Sequence, residues 1–486
     1  MKKVALGLAG LILAVAIICI VRALSLPAAP AESATQALAA PDAGATIASH
    51  LSKAVQFKTI SWGDGRPLDD EAFDGFIDFL AETYPAAHAA MKREVIAGHS
   101  LLYRWPGATA DAKPIAFLAH IDVVPVEPGT EENWAHPPFS GEIADGAVWG
   151  RGSLDNKGQL IMLMEAAEKL AAAGFRPDRD IYFLFGHDEE LGGENGAGAI
   201  RAVLDQRGVH FAWTLDEGSG LVEGIVPGAA RPVALISTAE KGATSLRFVA
   251  HDAGGHSSTP GSDTAVSLVS KAVVAVMDHP YELKLDKNVI AFLHALAPEL
   301  PFSQRLALAN LWLTGPLVKG QLAKDRFTAA SLHTTTAPTM IDGGAKVNLL
   351  PQQASAVVNY RIHPRDSVKS VRERAAGLIN NKRIDIEVLG GVEPSPQSSI
   401  DSEGYEAMRK AIWEVFGPVS VAPSLTLQGT DSRHYVGAAD DNYRFTPFIY
   451  QSDDLRRIHG TDERALIDGL ANGAAWYEAL IRKAAG

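Results

Sequence analysis

Four side chains able to do chemistry, His187, Asp188, Glu189 and Glu190, directly follow a short apolar run at 181–185. Such a run predicts a strand buried on both faces of a parallel sheet, and ligands of open α/β sheets bind just beyond the carboxyl ends of such strands. Adjacent carboxylates repel each other unless a cation holds them, and beside a metal one can ligate while its neighbour acts as a base. An N-capped helix start explains the same residues equally well.

Two further apolar runs end in residues of the same types. The run at 114–119 leads to His120 and Asp122, which share one face of an extended chain because they are two residues apart. A carboxylate at this spacing can orient a metal-binding histidine. A third run, at 211–215, ends in Asp216. Three strand ends that deliver histidine and carboxylates favour a metal site over a set of helix caps.

A glycine-containing turn at 149–158 precedes an apolar helical pattern at 159–173. No Gly-Lys-Ser or Gly-Lys-Thr closes the turn, so its spacing is not that of a phosphate-binding P-loop. Asp155 lies in this turn, and taken alone it is best explained as a helix N-cap.

Composition limits the function classes. The chain has 486 residues, 47% apolar and 21% charged, which predicts a globular protein of two domains. The net charge of −13 argues against nucleic acid as a partner, because no basic excess replaces the phosphate counterions. Cys19 is the only cysteine, so no intramolecular disulfide forms, and a metal site must use histidine and carboxylates.

The N-terminal segment predicts export. Lys2 and Lys3 precede an apolar run at 4–21, which is closed by Arg22. Eighteen residues exceed the roughly 7 to 15 of a cleaved signal's apolar region and reach the about 18 of a membrane-spanning candidate, although 29–31 offers a small-x-small cleavage site. We favour an uncleaved anchor with its lysines on the cytoplasmic side. A cleaved signal would instead give a periplasmic or secreted protein.

The patterns divide the chain into five segments. They are an anchor or signal (1–26), a linker (27–44), a first catalytic part (45–239), an inserted domain (240–390) and a second catalytic part (391–486). The inserted domain shows the order βαββαβ, which predicts a two-layer α+β fold. It also carries an extra helical segment at about 285–330, including a helical stretch expected at 289–313.

Six short motifs resemble those of one known family. They are His120-Ile-Asp122-Val-Val-Pro, Arg151-Gly-x-x-Asp155-x-Lys, Asp188-Glu189-Glu190, Asp216-Glu217-Gly, Gly255-His256-Ser-Ser and His459-Gly-Thr-Asp-Glu463. The chain is similar to the co-catalytic dizinc exopeptidases, which include glutamate carboxypeptidase, acetylornithine deacetylase and aminoacylases. The stretches 186–190 and 429–435 look most like the carboxypeptidase S branch, which includes N-fatty-acyl-amino-acid synthase/hydrolases.

The resemblance implies a fold and a metal centre. The fold is α/β, a zinc-exopeptidase-like catalytic domain with a mixed sheet flanked by helices, plus an inserted ferredoxin-like α+β lid or dimerisation domain. Two Zn²⁺ ions per subunit are implied, replaceable by Co²⁺ or Mn²⁺. The implied ligands are His120, Glu190, Asp216 and His459 as terminal ligands and Asp155 as the bridge. An unusual cis peptide bond often follows the bridging Asp in this family.

The resemblance also implies roles outside the ligand set. Glu189 matches the general base, and Asp122 matches the residue that orients His120. In the inserted domain, His256 matches a residue that assists the oxyanion, while Asn348 and Arg361 match residues that hold the substrate and its carboxylate. Further pocket residues are expected at Gly429, Thr430, Arg433 and His434. We expect His187 and Glu217 to be solvated or to support the site, and His136 and His363 to be structural.

The expected activity is hydrolysis of an amide bond next to a free carboxylate by a carboxypeptidase S-like exopeptidase. The alternative enzyme is an N-acyl amino acid amidohydrolase, including one for N-fatty-acyl substrates, and the non-enzyme alternative is a catalytically silent binding protein. Relatives often form homodimers through the inserted domain. The extra segment at 285–330 offers alternatives to that dimer: a cap over the site, an acyl-chain site, a contact with the membrane or an additional core helix.

Overall fold

A computed structural model describes residues 2–27, 41–109, 111–226, 229 and 231–486. The α-helices are α1 (Lys2–Leu24), α2 (Pro41–Gln56), α3 (Asp70–Thr83), α4 (Pro85–Ala90), α5 (Lys157–Ala172), α6 (Ala197–Gln206), α7 (Ala265–Met277), α8 (Lys287–Leu296), α9 (Phe302–Ala309), α10 (Leu311–Leu322), α11 (Arg326–Ala330), α12 (Val368–Ile379), α13 (Glu403–Phe416), α14 (Asp454–Arg457) and α15 (Ile467–Ala485).

The strands complete the element order. They are β1 (Lys92–Ile96), β2 (Ser100–Trp105), β3 (Ile115–His120), β4 (Ile143–Ala144), β5 (Ala147–Trp149), β6 (Ile181–Gly186), β7 (Phe211–Asp216), β8 (Leu221–Val222), β9 (Val233–Glu240), β10 (Gly242–His251), β11 (Gly255–His256), β12 (Thr335–Gly343), β13 (Leu349–Leu350), β14 (Gln353–Ile362), β15 (Ile384–Val392), β16 (Ser420–Thr426), β17 (Ala439–Arg444), β18 (Ile449–Tyr450) and β19 (Arg464–Leu466).

A ten-stranded mixed sheet forms the larger layer. Its order is β1-β2-β6-β3-β7-β17-β9-β8-β18, with β16 paired to β9. Strands β6, β3, β7 and β17 are parallel, so their carboxyl ends meet at one edge. Helices α5 and α15 cover one face and α6 covers the other, which explains why the central strands are apolar runs rather than alternating patterns. The α/β fold class with a mixed sheet is confirmed.

A second sheet of four antiparallel strands has the order β12-β14-β10-β15. Helices α7 and α12 pack on it and share its apolar core. Each helix begins with a reciprocal capping box, Thr264 with Ser267 in α7 and Ser367 with Ser370 in α12, in which the paired side chains satisfy otherwise free amides. The strand order is that of a ferredoxin-like βαββαβ unit, as the sequence pattern predicted.

The extra segment of the inserted domain is not one helical stretch at 289–313 as expected. Helix α8 ends at Leu296, and α9 begins only at Phe302. Pro298 and Pro301 lie between them, and the residue before Pro301 is extended, as the steric clash with a following proline requires. The segment is therefore a cluster of short helices, α8 to α11.

Helix α1 is the one helix of the described residues that is long and apolar enough to cross a membrane. Its last turns pack on α9, and the preceding part is exposed. Most of the linker predicted at 27–44 lies outside the described residues.

Candidate metal centre

His120 ends β3 at the edge where the parallel strands terminate, and its side chain is almost fully buried. Its Nδ1 lies 3.0 Å from the carbonyl oxygen of Asp122 and 3.2 Å from Asp122 Oδ1. Its Nε2 faces two other carboxylates, Asp155 Oδ1 at 3.1 Å and Glu217 Oε1 at 3.4 Å. The ring is thus oriented by one acid while its outer nitrogen points into a cluster of acids.

Asp155 lies between two histidines that are far apart in sequence. Its Oδ1 faces His120 Nε2 at 3.1 Å, and its Oδ2 faces His459 Nε2 at 3.2 Å. Glu190 Oε2 lies 3.3 Å from the same nitrogen of His459. The peptide bond between Asp155 and Asn156 is cis. One carboxylate therefore faces two imidazoles from distant parts of the chain.

Two groups of side chains bring their potential ligand atoms within 4.8 Å of one another. One contains His120, Asp155 and Glu190, and the other contains His120, Glu189 and Glu217. Glu190 Oε1 is buried and has no hydrogen-bond partner among the residues that the structure describes. Imidazole nitrogens and carboxylate oxygens are the donors that zinc uses in the absence of thiolates, so these residues fit a zinc centre.

Asp122 is fully buried and holds the loop that carries the two glutamates. Its carboxylate accepts hydrogen bonds from the amides of Glu189 and Glu190, each at 3.2 Å, and from Ser61 Oγ at 2.6 Å. The loop forms a short 3₁₀ turn, Glu189–Leu191. The orienting function expected of Asp122 therefore extends from His120 to the backbone of Glu189 and Glu190.

Asp216 and Glu217, adjacent in sequence, have different partners in the structure. Both carboxylate oxygens of Asp216 accept backbone amides, Oδ1 from Glu217 at 2.8 Å and Oδ2 from Ser432 at 2.6 Å. Glu217 instead faces His120, and its other oxygen accepts a hydrogen bond from Asn156 at 2.5 Å. Successive side chains of an extended chain point to opposite sides, so only one of these neighbours faces the cluster.

Without a cation, the buried acids and histidines of the cluster favour their protonated forms. Burial raises the pKa of Glu189 well above its usual value, and burial with nearby Asp155 raises the pKa of Glu217 to about 7. The carboxylates of Asp155 and Glu190, which accept hydrogen bonds from His459, raise the pKa of that histidine to about 10. Burial alone would lower the pKa of His120, but the facing carboxylates raise it. A divalent cation would replace these protons as the positive charge.

No separate role was expected of Glu463, yet it holds the turn that carries Asp155. Glu463 Oε1 accepts the amides of Leu154 at 2.9 Å and Asp155 at 3.1 Å, and Oε2 pairs with Arg151 Nη1 at 2.6 Å. Arg151 also donates to the carbonyl of His459. The signal was present, since Arg151 begins one motif and Glu463 ends another, but only the fold shows that the two meet.

Three predicted substrate residues lie in the inserted domain. His256 in β11 pairs with β13, and the carbonyl of Asn348 accepts the amide of Ser257 at 3.2 Å, so His256 and Asn348 are neighbours. Arg361 lies in β14. All three are exposed, and within the described residues no hydrogen bond or ion pair joins them to the metal cluster.

The segment at 429–434 adjoins the loop after Glu190. Thr430 Oγ1 lies 3.1 Å from Glu240 Oε2, and His434 Nε2 lies 2.8 Å from the carbonyl oxygen of Gly192. Arg433 folds back against Gly429, where an added Cβ would lie 2.8 Å from its Nη1. These contacts hold the segment beside the loop that carries Glu189 and Glu190; the pocket role expected of it stays a prediction.

Three further histidines have structural partners. His187 is buried, and its Nδ1 lies 2.7 Å from Ser100 Oγ, so it is not solvated. His136 pairs with Glu142 at 3.0 Å, and its ring contacts that of Trp149 at a tilt of 50°. His363 is buried near Asp286. These contacts agree with the structural role expected of His136 and His363.

Known proteins resemble the chain in both sequence and fold. The sequence pattern of Peptidase family M20/M25/M40 matches residues 116–483. Probable carboxypeptidase S-like 2 of Dictyostelium discoideum is 37% identical over 441 residues, covering 90% of this chain and 84% of that protein. N-fatty-acyl-amino acid synthase/hydrolase PM20D1 of Bos taurus is 36% identical over 420 residues, covering 85% of this chain and 83% of that protein. An M20 family metallo-carboxypeptidase of Sulfolobus solfataricus superposes with a TM-score of 0.64 at 19% identity, covering 90% and 98%.

The mixed sheet, the inserted domain and the acid–histidine cluster define a metal-dependent hydrolase. The chain belongs to Peptidase family M20/M25/M40, and its relatives include carboxypeptidase S-like proteins and N-fatty-acyl-amino-acid synthase/hydrolases. The family and the branch that the motifs indicated are confirmed.

Proposed function

We propose that the protein is a dizinc exopeptidase that hydrolyses an amide bond next to a free carboxylate. The observation that carries this proposal is the position of Asp155, whose two carboxylate oxygens face the side chains of His120 and His459. The proposed ligands are His120, Asp155, Glu190, Glu217 and His459. In this set Glu217 takes the place that the resemblance gives to Asp216, because Glu217 Oε1 lies 3.4 Å from His120 Nε2 and Glu217 is grouped with His120 and Glu189 as a possible ligand.

When bound, the two ions would supply an acidified water and polarise the substrate carbonyl. Glu189 accepts a proton from the attacking water and returns it to the leaving amine. Asp122 fixes the position of this base through the amides of Glu189 and Glu190. The same carboxylate orients His120, so one buried acid sets the geometry of both a ligand and the base.

The inserted domain contributes the substrate contacts in this proposal. His256 assists the developing oxyanion, Asn348 holds the substrate, and Arg361 pairs with its free carboxylate. A guanidinium suits this last task because its paired N–H groups match a carboxylate. The neighbouring positions of His256 and Asn348 support a shared role.

An N-acyl amino acid amidohydrolase is the second candidate. Five proteins called N-fatty-acyl-amino acid synthase/hydrolase are 33 to 36% identical to the chain. The inserted domain also exposes large apolar side chains on α10, including Trp312 and Leu317. Both activities cleave an amide next to a free carboxylate and differ only in the group on the other side.

Export and assembly complete the proposal. We assign α1 as an uncleaved anchor that holds the catalytic body on the extracytoplasmic side, with Lys2 and Lys3 in the cytoplasm. A homodimer through the inserted domain is supported by the edge strand β12, which exposes Met340 and Ile341. Light scattering of the detergent-solubilised chain would test this dimer.

The deciding experiment compares substrates that share one C-terminal amino acid. The zinc-loaded full-length chain is assayed on a dipeptide series and on an N-acyl series of rising chain length. Preference for dipeptides supports the exopeptidase, whereas a kcat/KM that rises with acyl length supports the amidohydrolase. Retained zinc without turnover on either series would refute both and indicate a binding protein.

A further inference from the structure

The end of α1 is fastened to the extra helices of the inserted domain by three hydrogen bonds to main-chain carbonyls. Asn310 Nδ2 donates to Cys19 O at 3.0 Å, Arg305 Nε donates to Ala23 O at 2.6 Å, and Arg22 Nε donates to Ala309 O at 3.2 Å. Asn310, Cys19 and Ala23 are buried in this contact. The junction of α9 and α10 is therefore held beside the anchor.

The length of α1 fixes the depth of this junction. A hydrocarbon layer of about 30 Å requires about 20 helical residues, so the apolar run at 4–21, which is closed by Arg22, places the boundary of the layer near Val21. Cys19 lies two residues before Val21, or about 3 Å inside that boundary at about 1.5 Å per residue. Asn310, which contacts Cys19, is thus at the depth where lipid headgroups meet acyl chains.

Helix α10 begins at this junction and carries an exposed uncharged stripe. The stripe is formed by Trp312, Leu313, Pro316, Leu317 and Gly320, positions that share one helical face. Leu317 is 73% exposed, and Trp312 Nε1 lies 3.3 Å from Asn310 Oδ1. Tryptophan is enriched at this depth of a membrane because its ring is apolar and its N–H is polar.

We propose that the stripe on α10 is a membrane-docking surface that inserts into the extracytoplasmic leaflet beside α1. Lys319 and Lys324 flank its C-terminal end, where their ammonium groups face anionic headgroups. Docking adds a second attachment beside the anchor and fixes the inserted domain against the bilayer. Long-chain N-acyl amino acids partition into that layer, so docking complements the second candidate function without depending on it.

The test places one fluorophore at a time on the full-length chain. In a Cys19→Ala background, which keeps the carbonyl that Asn310 binds, Leu317→Cys or Leu313→Cys is labelled with an environment-sensitive dye. Val347→Cys, at a 99% exposed position between β12 and β13, is the matched control. The proteins are reconstituted into vesicles of phosphatidylcholine and phosphatidylglycerol, with and without nitroxide-labelled lipids.

We expect emission at 317 and 313 to be blue-shifted and quenched by the nitroxide lipids several-fold more than at 347. Equal quenching at all three positions would overturn the proposal. A blue shift at 317 without lipid quenching would also overturn it and would assign the face to a second copy of the chain. Neither readout uses enzymatic turnover, so the result is independent of the proposed activity.

Discussion

Arg151 and Glu463 form a buried ion pair across 312 residues of sequence, with Nη1 and Oε2 2.6 Å apart. Glu463 also binds the amide of Asp155, and Arg151 binds the carbonyl of His459. The pair therefore joins the turn that carries Asp155 to the loop that carries His459. Neither Arg151 nor Glu463 is among the proposed metal ligands, yet together they set the separation of two residues that are.

Replacing Glu463 with Gln should weaken both folding and metal binding. The substitution leaves the buried guanidinium of Arg151 without an anionic partner, which typically costs about 3 to 5 kcal/mol. Loss of a residue that supports ligands typically lowers metal affinity by roughly 10- to 100-fold. Zinc competition titration and thermal unfolding of Glu463→Gln would measure both effects.

The matched control for this prediction is Glu403→Gln, which removes one member of a surface ion pair with Arg179. Exposed pairs contribute only about 0 to 1 kcal/mol, so this variant should bind zinc as the wild type does. Wild-type zinc affinity in Glu463→Gln would show that the pair does not position Asp155.

Glu189→Gln should retain both metal ions and lose roughly two to four orders of magnitude in kcat, the usual contribution of a general base. The amide keeps the size of the side chain but accepts no proton from water. Metal analysis and steady-state kinetics on the preferred substrate check both parts. Glu194→Gln, five residues on and exposed, should turn over normally. Unchanged turnover in Glu189→Gln would remove this residue from the mechanism.

The local patterns predicted most of what local chemistry determines. The apolar run at 181–185 is β6, the His-x-Asp spacing places Asp122 against His120, and the βαββαβ order gives the second sheet. What the sequence did not reveal depends on contacts between distant segments or on side-chain direction. The pair of Arg151 with Glu463 is an example of the first kind.

The side-chain directions of Asp216 and Glu217 are an example of the second kind. The two acids are adjacent in one motif. Which of them faces the cluster depends on where β7 ends and on the amide of Ser432, which donates a hydrogen bond to Asp216. The helices α8 to α11 are another case, because Pro298 and Pro301 divide a segment whose apolar spacing looks continuous.

Variants of Asp216 and Glu217 should show which of the two binds zinc and which only stabilises the surrounding backbone. Glu217→Ala should lower bound zinc from two equivalents to about one, because it removes a side chain that faces His120. Asp216→Asn should keep both ions but lower the free energy of unfolding by about 1 to 3 kcal/mol. Both oxygens of the wild-type carboxylate accept backbone amides, and the NH₂ group of asparagine would leave one of these amides without an acceptor. Metal analysis and thermal unfolding distinguish the two. Zinc loss in Asp216→Asn with full occupancy in Glu217→Ala would restore Asp216 as the ligand.

Metal removal should make stability depend on pH in a defined direction. Without a cation, the pKa of Glu217 is raised to about 7 and that of His459 to about 10, against about 4.3 and 6.5 for these side chains in an unfolded chain. Each group then holds a proton in the folded state that the unfolded state has released. The stability from these groups is complete below the unfolded pKa and is lost as pH rises through the folded pKa.

Zinc competes with those protons, so the rise in melting temperature on adding zinc to the chelator-treated full-length chain should grow from about pH 5 to about pH 9. Each proton that zinc displaces changes the stabilisation by about 1.4 kcal/mol per pH unit. Differential scanning fluorimetry of the metal-free and zinc-loaded protein across this range gives the slope. Asp155→Asn, which lacks the shared ligand, should show a small zinc effect at every pH. A zinc effect in the wild type that shrinks toward alkaline pH would mean that these groups do not bind the metal.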